Sequence, residues 1–276
     1  MNARVTRLAL AWLVSLAGVA GADQGAGAHS LEAVMDCFVK GIPPAAHGRF
    51  TMFHDHPDGQ GADHTAAGEY WAELPEMGAR KVVAASPDAW DGKGGAYLFS
   101  DGDALGEAWA WREGQTAAQR IAAHSPDAFV FHTDVSFEDF ARFVRIVAPG
   151  QIRRMPDAKV DGRAVYVLET KPGPDARSSY DRVVTSIDQE WCTPLRREGF
   201  SPAFEKGARP LRVTSVSPAD VKLEQGYARP TRATLHDNGD GSETRVELHD
   251  LELGKKLPES FFTPEHLPQT LAERSR

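Results

Sequence analysis

Between Arg49 and Leu253 the chain is cut into short alternating segments, and that rhythm limits the fold more than any other feature. Residues 49–56 place Phe50, Met52 and His54 on one face of an extended segment. Residues 80–85, 95–100 and 107–112 follow at the spacing of a meander. In residues 107–112, Trp109 and Trp111 point one way, and Ala108 and Ala110 the other. Residues 116–124 read as a further strand. Residues 163–170, 180–187, 193–200, 211–216, 231–236 and 243–253 continue the pattern. Asn238-Gly239-Asp240-Gly241 joins the last two segments with residues that tolerate positive φ. About ten strands with two or three helices predict a mainly β (α+β) chain, built on one antiparallel sheet that curls around an apolar interior.

Two segments break the β pattern. In residues 30–41, Leu31, Val34, Met35 and Phe38 share a helical face. Ser30 suits the N-cap, Gly41 the stop, and Ile42-Pro43-Pro44 ends the run. Later, Ser136-Phe137-Glu138-Asp139 is a capping signal, after which Phe137, Phe140, Phe143, Val144 and Val147 recur at helical spacing up to Pro149-Gly150. The stretch after Leu267 is polar and is expected to fray. There is no internal repeat, and Pro172-Gly173-Pro174 reads as a loop rather than a linker, so residues 23–276 are expected to form a single domain with a short polar C-terminal tail.

Residues 1–22 read as a cleavable export signal. Arg4 and Arg7 form its positive start, residues 8–19 are uncharged and apolar, and Ala20-Gly21-Ala22 supplies the cleavage site before Asp23. A second site ends at Ala28. The apolar run is too short for the roughly 20 residues that span a bilayer, and no Cys follows it to take a lipid anchor. A soluble, monomeric periplasmic protein is expected. The net charge is −8, so there is no basic footprint for nucleic acid. In an oxidising compartment the two cysteines, Cys37 and Cys192, are expected to be bridged, the alternative being two buried thiols.

The usual signatures of chemistry are missing. His54 and His56 share a strand face, with His64, Asp55, Asp58 and Asp63 close in sequence, which opens the reading of a metal-dependent periplasmic enzyme. The plainer reading is a polar strand end running into a solvated loop, and no HExxH accompanies it. There is no G-x-S-x-G elbow, and Ser201 lacks the closing Gly. Gly92-Lys93-Gly94-Gly95 is not a phosphate loop, and residues 237–241 lack the acid pattern of a calcium loop. No catalytic residue, metal ligand set or cofactor follows. What stands out is apolar surface: Phe50, Met52, Tyr97, Phe99, Trp109 and Trp111 on strands, and Phe137, Phe140 and Phe143 along a helix. Most of it is ordinary core. Part is expected to line an apolar pocket, since a curled sheet cannot fill its own hollow unaided.

Several stretches, taken in order, resemble the LolA-like outer-membrane lipoprotein-sorting family. They are Gly94-Gly95-Ala96-Tyr97-Leu98-Phe99, Phe131-His132-Thr133-Asp134-Val135-Ser136-Phe137-Glu138-Asp139, Tyr180-Asp181-Arg182-Val183-Val184, Trp191-Cys192-Thr193-Pro194-Leu195 and Ser260-Phe261-Phe262-Thr263-Pro264-Glu265-His266-Leu267. The resemblance implies an unclosed antiparallel β-barrel of about ten or eleven strands, with a few helices covering the concave face. It implies a periplasmic carrier of acyl chains of lipoproteins or lipids, working with an RND-type transporter or an outer-membrane acceptor. Trp109-Ala110-Trp111-Arg112-Glu113 departs from the family's usual turn there. The same fold serves as an envelope-stress sensor that binds a regulator, which is the alternative role. On the carrier reading, the Phe137–Phe140–Phe143 stripe is a movable plug and Trp109 and Trp111 line the wall.

Overall fold

The computed structural model describes residues 29–57, 64–75, 80–90, 92–100, 107–121, 129–143, 150–174 and 178–273. The expected export signal and both its cleavage sites lie outside them. Helix α1 (Leu31–Lys40) forms as its spacing predicts: the Ser30 side chain accepts the Ala33 N–H, and the Gly41 N–H closes on the carbonyl of Cys37. Strands β1 (Ala45–Asp55), β2 (His64–Glu73), β3 (Lys81–Trp90), β4 (Lys93–Ser100), β5 (Glu107–Arg112) and β6 (Gln119–Ile121) run as an antiparallel meander. Helix α2 (Phe137–Phe143) follows; the rest of its expected span lies outside the described residues. A second group comprises β7 (Gly150–Val160), β8 (Arg163–Pro172), β9 (Arg182–Asp188), β10 (Pro194–Phe200) and β11 (Arg212–Ser215). Strands β12 (Val221–Glu224) and β13 (Tyr227–Pro230) make a separate ribbon. Strands β14 (Arg232–Asp237) and β15 (Glu243–Leu253) and helix α3 (Leu267–Glu273) complete the chain.

Thirteen strands form one sheet in the order β6-β5-β4-β3-β2-β1-β15-β14-β11-β10-β9-β8-β7. Its first and last strands pair at the centre, with Phe50 opposite Leu248 and Met52 opposite Val246. Strands β6 and β7 are left as edges, so the barrel stays open, as expected. The strand count exceeds expectation because β2 and β7 carry weak signals. In β2 the segment Thr65-Ala66-Ala67-Gly68 offers little apolar contrast. Gly68 is there for space: a Cβ would stand 2.1 Å from the Ala85 carbonyl oxygen and 2.6 Å from the Phe50 ring. Strand β7 is an edge, largely polar, with Pro156 inside the register shift between Met155 and Ala158. A proline and a bulge there blunt pairing with other chains.

The register assigns the two faces of the sheet. Leu168, Thr185, Arg197, Thr214, Leu235, Thr244 and His54 lie opposite one another across successive strands and so share a face. Both α1 and α2 pack on this inner face. Val34 and Phe38 of α1 meet Tyr166, Leu168 and Ile187, while Phe137 and Phe140 of α2 meet Phe50, Tyr97 and Phe99. The Cys37–Cys192 bridge, with Cα atoms 5.2 Å apart, ties α1 to the turn between β9 and β10.

Two expectations are corrected here. Residues 267–273 do not fray: they form α3, whose Leu267 is fully buried and whose Leu271 packs beside it. And Trp109 and Trp111 do not line the hollow. They join Trp71, Val83, Leu98, Phe261 and Leu267 on the outer face, under the C-terminal segment. Both faces of β5 are covered, so alternation alone could not say which face was inner. The small side chains, Ala108 and Ala110, face inward because the Phe99 and Phe140 rings take up the space there.

Candidate functional site

The inner face carries an aromatic layer beneath an open hollow. The Phe99 and Phe140 rings stack at 4.5 Å, Tyr97 and Phe137 meet edge-on at 5.2 Å, and Phe50 and Phe131 lie 5.1 Å apart. Tyr97, Phe99 and Phe137 are sealed within this layer and fill it. Phe50, Met52, Phe140 and Phe143 instead wall a cavity of about 620 Å³, its mouth included, together with Tyr70, Val246 and Leu248. A neighbouring cavity of about 790 Å³, again with its mouth, opens between the end of α1, at Ile42 and Pro43, and strands β10, β11 and β15. The two share Phe143, Thr214 and Leu248 as a wall. Both are walled mainly by apolar side chains, the usual lining of a site for an apolar ligand. The structure thus brings four of the nine expected pocket residues to the hollow, packs three into the core behind it and carries two to the far side.

Other wall residues had gone unread. Val246 and Leu248 are simple alternation in β15 and could have been found from it. Asp139, the one acid on the smaller cavity among the described residues, reads in sequence only as a capping residue. Its N–H does bond the Ser136 side chain at 3.1 Å, but the carboxylate does more. It accepts from the Ser136 hydroxyl at 2.6 Å, the Tyr180 hydroxyl at 2.7 Å and Arg212 at 3.2 Å. Arg212 in turn donates to Asp237 at 2.6 Å. Burial opposes the charge of Arg212, but Asp139, Tyr180 and Asp237 outweigh it and hold its pKa above the ordinary guanidinium value. Burial, then the charge of Asp139, pushes the Tyr180 phenol well up. Next along α2, buried Glu138 accepts from Arg142 at 2.6 Å and from the Ser179 N–H at 2.8 Å. Helix α2 is therefore bolted to the second half of the sheet by its polar face, while its rings stack on the first. That is a poor design for a freely moving plug, and the cavities already open beside the helix.

The histidine stretch gives a different arrangement. His54 is buried, with Nδ1 3.0 Å from the Asp134 carboxylate and Nε2 3.0 Å from Nε2 of His56. His64 begins β2 opposite His54. Among the described residues, no three His, Cys, Asp or Glu side chains gather as a metal site. The hydrogen bond to Asp134 raises the pKa of His54 against opposing burial. Burial would raise Asp134, but the adjacent His54, with Ser242 nearby, overcomes it and holds its pKa low. Since His54 binds its proton more tightly when folded, its contribution is complete below about pH 6.5 and is lost as pH rises through the folded value. Asp134 contributes above about pH 3.9, and loses that as pH falls through its folded value. The pair therefore stabilises most between these limits. The urea midpoint is expected to fall between pH 5.5 and 8.5, and to fall less in Asp134→Asn. An equal fall in both proteins would show that the pair is not the cause.

Comparison with known proteins places this geometry. A family model described as "Uncharacterized protein" matches residues 82–269. No curated protein matches the chain. A DUF1329 family protein from Desulfovibrio piger superposes with a TM-score of 0.70 at 18% identity, covering 86% of this chain and 98% of that one. A putative outer membrane lipoprotein-sorting protein domain from Vibrio parahaemolyticus gives 0.69 at 18% identity, covering 83% and 94%. A LolA superfamily protein from Nitrosomonas europaea gives 0.66 at 18% identity, covering 87% and 100%. At such identities the likeness is one of fold. No helix among the described residues is long and apolar enough to cross a membrane.

Proposed function

We propose, from the premise that this chain belongs to the family matched over residues 82–269 and carries the LolA-superfamily fold, that it is an exported, non-enzymatic carrier which holds acyl chains in the hollow of its open barrel. The observation that carries this reading is the pair of adjoining apolar cavities on the inner face, about 620 and 790 Å³ with their mouths, kept open beside a tethered helix. Burying each methylene is worth about 0.8 kcal/mol, so a long acyl chain has ample driving force to enter. The proposed setting is the periplasm, with residues 1–22 removed. The cargo is a lipoprotein's or a lipid's acyl chains, passed between an inner-membrane transporter of the RND type and an outer-membrane acceptor.

A fluorescent fatty-acyl probe is expected to bind with micromolar affinity or better, about 8 kcal/mol of net free energy. Because Trp109 and Trp111 face away from the hollow, displacement of the probe is a better readout than tryptophan emission. Phe143→Asp, on the wall between the cavities, is expected to weaken the probe at least tenfold while circular dichroism stays unchanged, since a charge there must be desolvated. Native mass spectrometry of protein taken from its own periplasm should show a chain starting at Asp23 with an acyl ligand attached. A correctly folded protein that binds no acylated molecule would end the carrier reading.

A further inference from the structure

The larger cavity has a charge pattern that an apolar tunnel does not need. The charged side chains on its wall among the described residues are Arg196, Arg197 and Arg229, and no acid lines that wall, in a chain whose net charge is −8. Arg196 is spoken for by Glu198 at 3.0 Å. Arg229 is paired through one nitrogen only, and Arg197 has no such acid among the described residues. Arg229, on the β12–β13 ribbon, donates through Nε to Glu224 at 2.8 Å, but its Nη1 is buried without a hydrogen-bond partner. Arg197, on β10, has no acid within ion-pairing distance among the described residues. Asp139 attracts it from farther away, but that carboxylate is already held by Ser136, Tyr180 and Arg212. Arg197 keeps some exposed surface, yet burial and then the nearby charge of Arg142 push its pKa down to about 10, the behaviour of a cation facing an enclosed space. Buried donors of this kind are normally paired, and a planar guanidinium suits carboxylate and phosphate oxygens.

We propose that the larger cavity binds an acyl chain ending in a single anionic head, a carboxylate or a phosphate, with the head received between Arg197 and Arg229. The inference rests on the carrier reading and narrows it: the apolar walls take the chain, and the two arginines select the charge. A head of this kind supplies acceptors to the unpaired Nη1 of Arg229 and to Arg197, with Glu224 fixing the orientation of Arg229 from behind.

The test compares palmitate, 1-palmitoyl lysophosphatidate and the neutral 1-hexadecanol as competitors of the same fluorescent acyl probe. In the wild-type protein, the better of the two anions is expected to bind at least tenfold more tightly than the alcohol, and which anion leads identifies the head. In Arg197→Gln/Arg229→Gln the preference of the anions over the alcohol should shrink to about twofold. Arg229→Lys, which keeps the charge, should retain most of the preference. Equal binding of anions and alcohol by the wild-type protein would overturn this inference and leave the carrier reading standing, and so would a preference that survives in the folded double variant. Failure of all three ligands to bind would remove both. The wild-type comparison decides the matter even if the double variant does not fold.

Discussion

Replacing Cys37 and Cys192 together by alanine is expected to lower stability by about 4–5 kcal/mol, the largest effect of any change considered for this chain. The bridge spans 155 residues of sequence, so its absence releases a very long loop in the unfolded chain. Chain entropy of the denatured state, rather than any lost contact, then supplies most of the loss. The folded protein should keep its structure, because α1 remains seated on Tyr166, Leu168 and Ile187 through Val34 and Phe38. Urea unfolding of the oxidised protein, the reduced protein and the double alanine variant reads this directly. The last two should agree, and a loss below about 1 kcal/mol in both would show that the denatured chain is already confined there by other means.

The second large effect is expected at Arg212. Its guanidinium lies between Asp139 and Asp237, all three side chains nearly buried. Arg212→Met keeps much of the bulk but leaves two buried carboxylates facing each other without a cation. Breaking a buried pair in this way typically costs about 3–5 kcal/mol. The same principle separates charge from packing. Arg212→Met combined with Asp139→Asn and Asp237→Asn removes the two stranded carboxylates and should recover a good part of the loss. A triple variant as unstable as the single one would mean that the arginine matters for its packing. Since Asp139 ties α2 to the second half of the sheet, the single variant should also show faster amide exchange in α2 than in α1.

What could be read from residues alone depended on whether the signal was local. Helix α1 could be, because its apolar stripe, its Ser30 cap and its Gly41 stop all lie within twelve residues. The hairpin of β14 and β15 could be, because Asn238 to Gly241 can hardly do anything but turn, and Gly241 does take a positive φ. The bridge was legible because two cysteines allow only one pairing. The failures came where a distant segment decided the environment. Trp109 and Trp111 alternate with alanines, but the face they occupy was settled by Phe261 and Leu267, some 150 residues farther on. Strand β2 was hidden because its inward side must be small to admit the Phe50 ring. Asp139 has the sequence signature of a cap and the structural place of a hub. The cavity cations fared no better: nothing about Arg197 in its strand distinguishes it from Arg196, which stands beside it and is paired.

The central pairing of β1 with β15 has a consequence for how the molecule comes into being. Each half of the sheet is a run of neighbouring hairpins, which can zip by short-range contacts. The seam between the halves joins Phe50 to Leu248, so it must wait until nearly the whole chain has been delivered. Until then the first half presents an open, long and apolar strand edge, with Phe50 and Met52 uncovered on one side of it. The step that completes the hollow is thus the same step that hides the most dangerous edge. A chain threaded across a membrane from its N-terminus would carry that edge exposed for the full time of its passage, and would need either a holding partner or a rapid final strand to escape clumping.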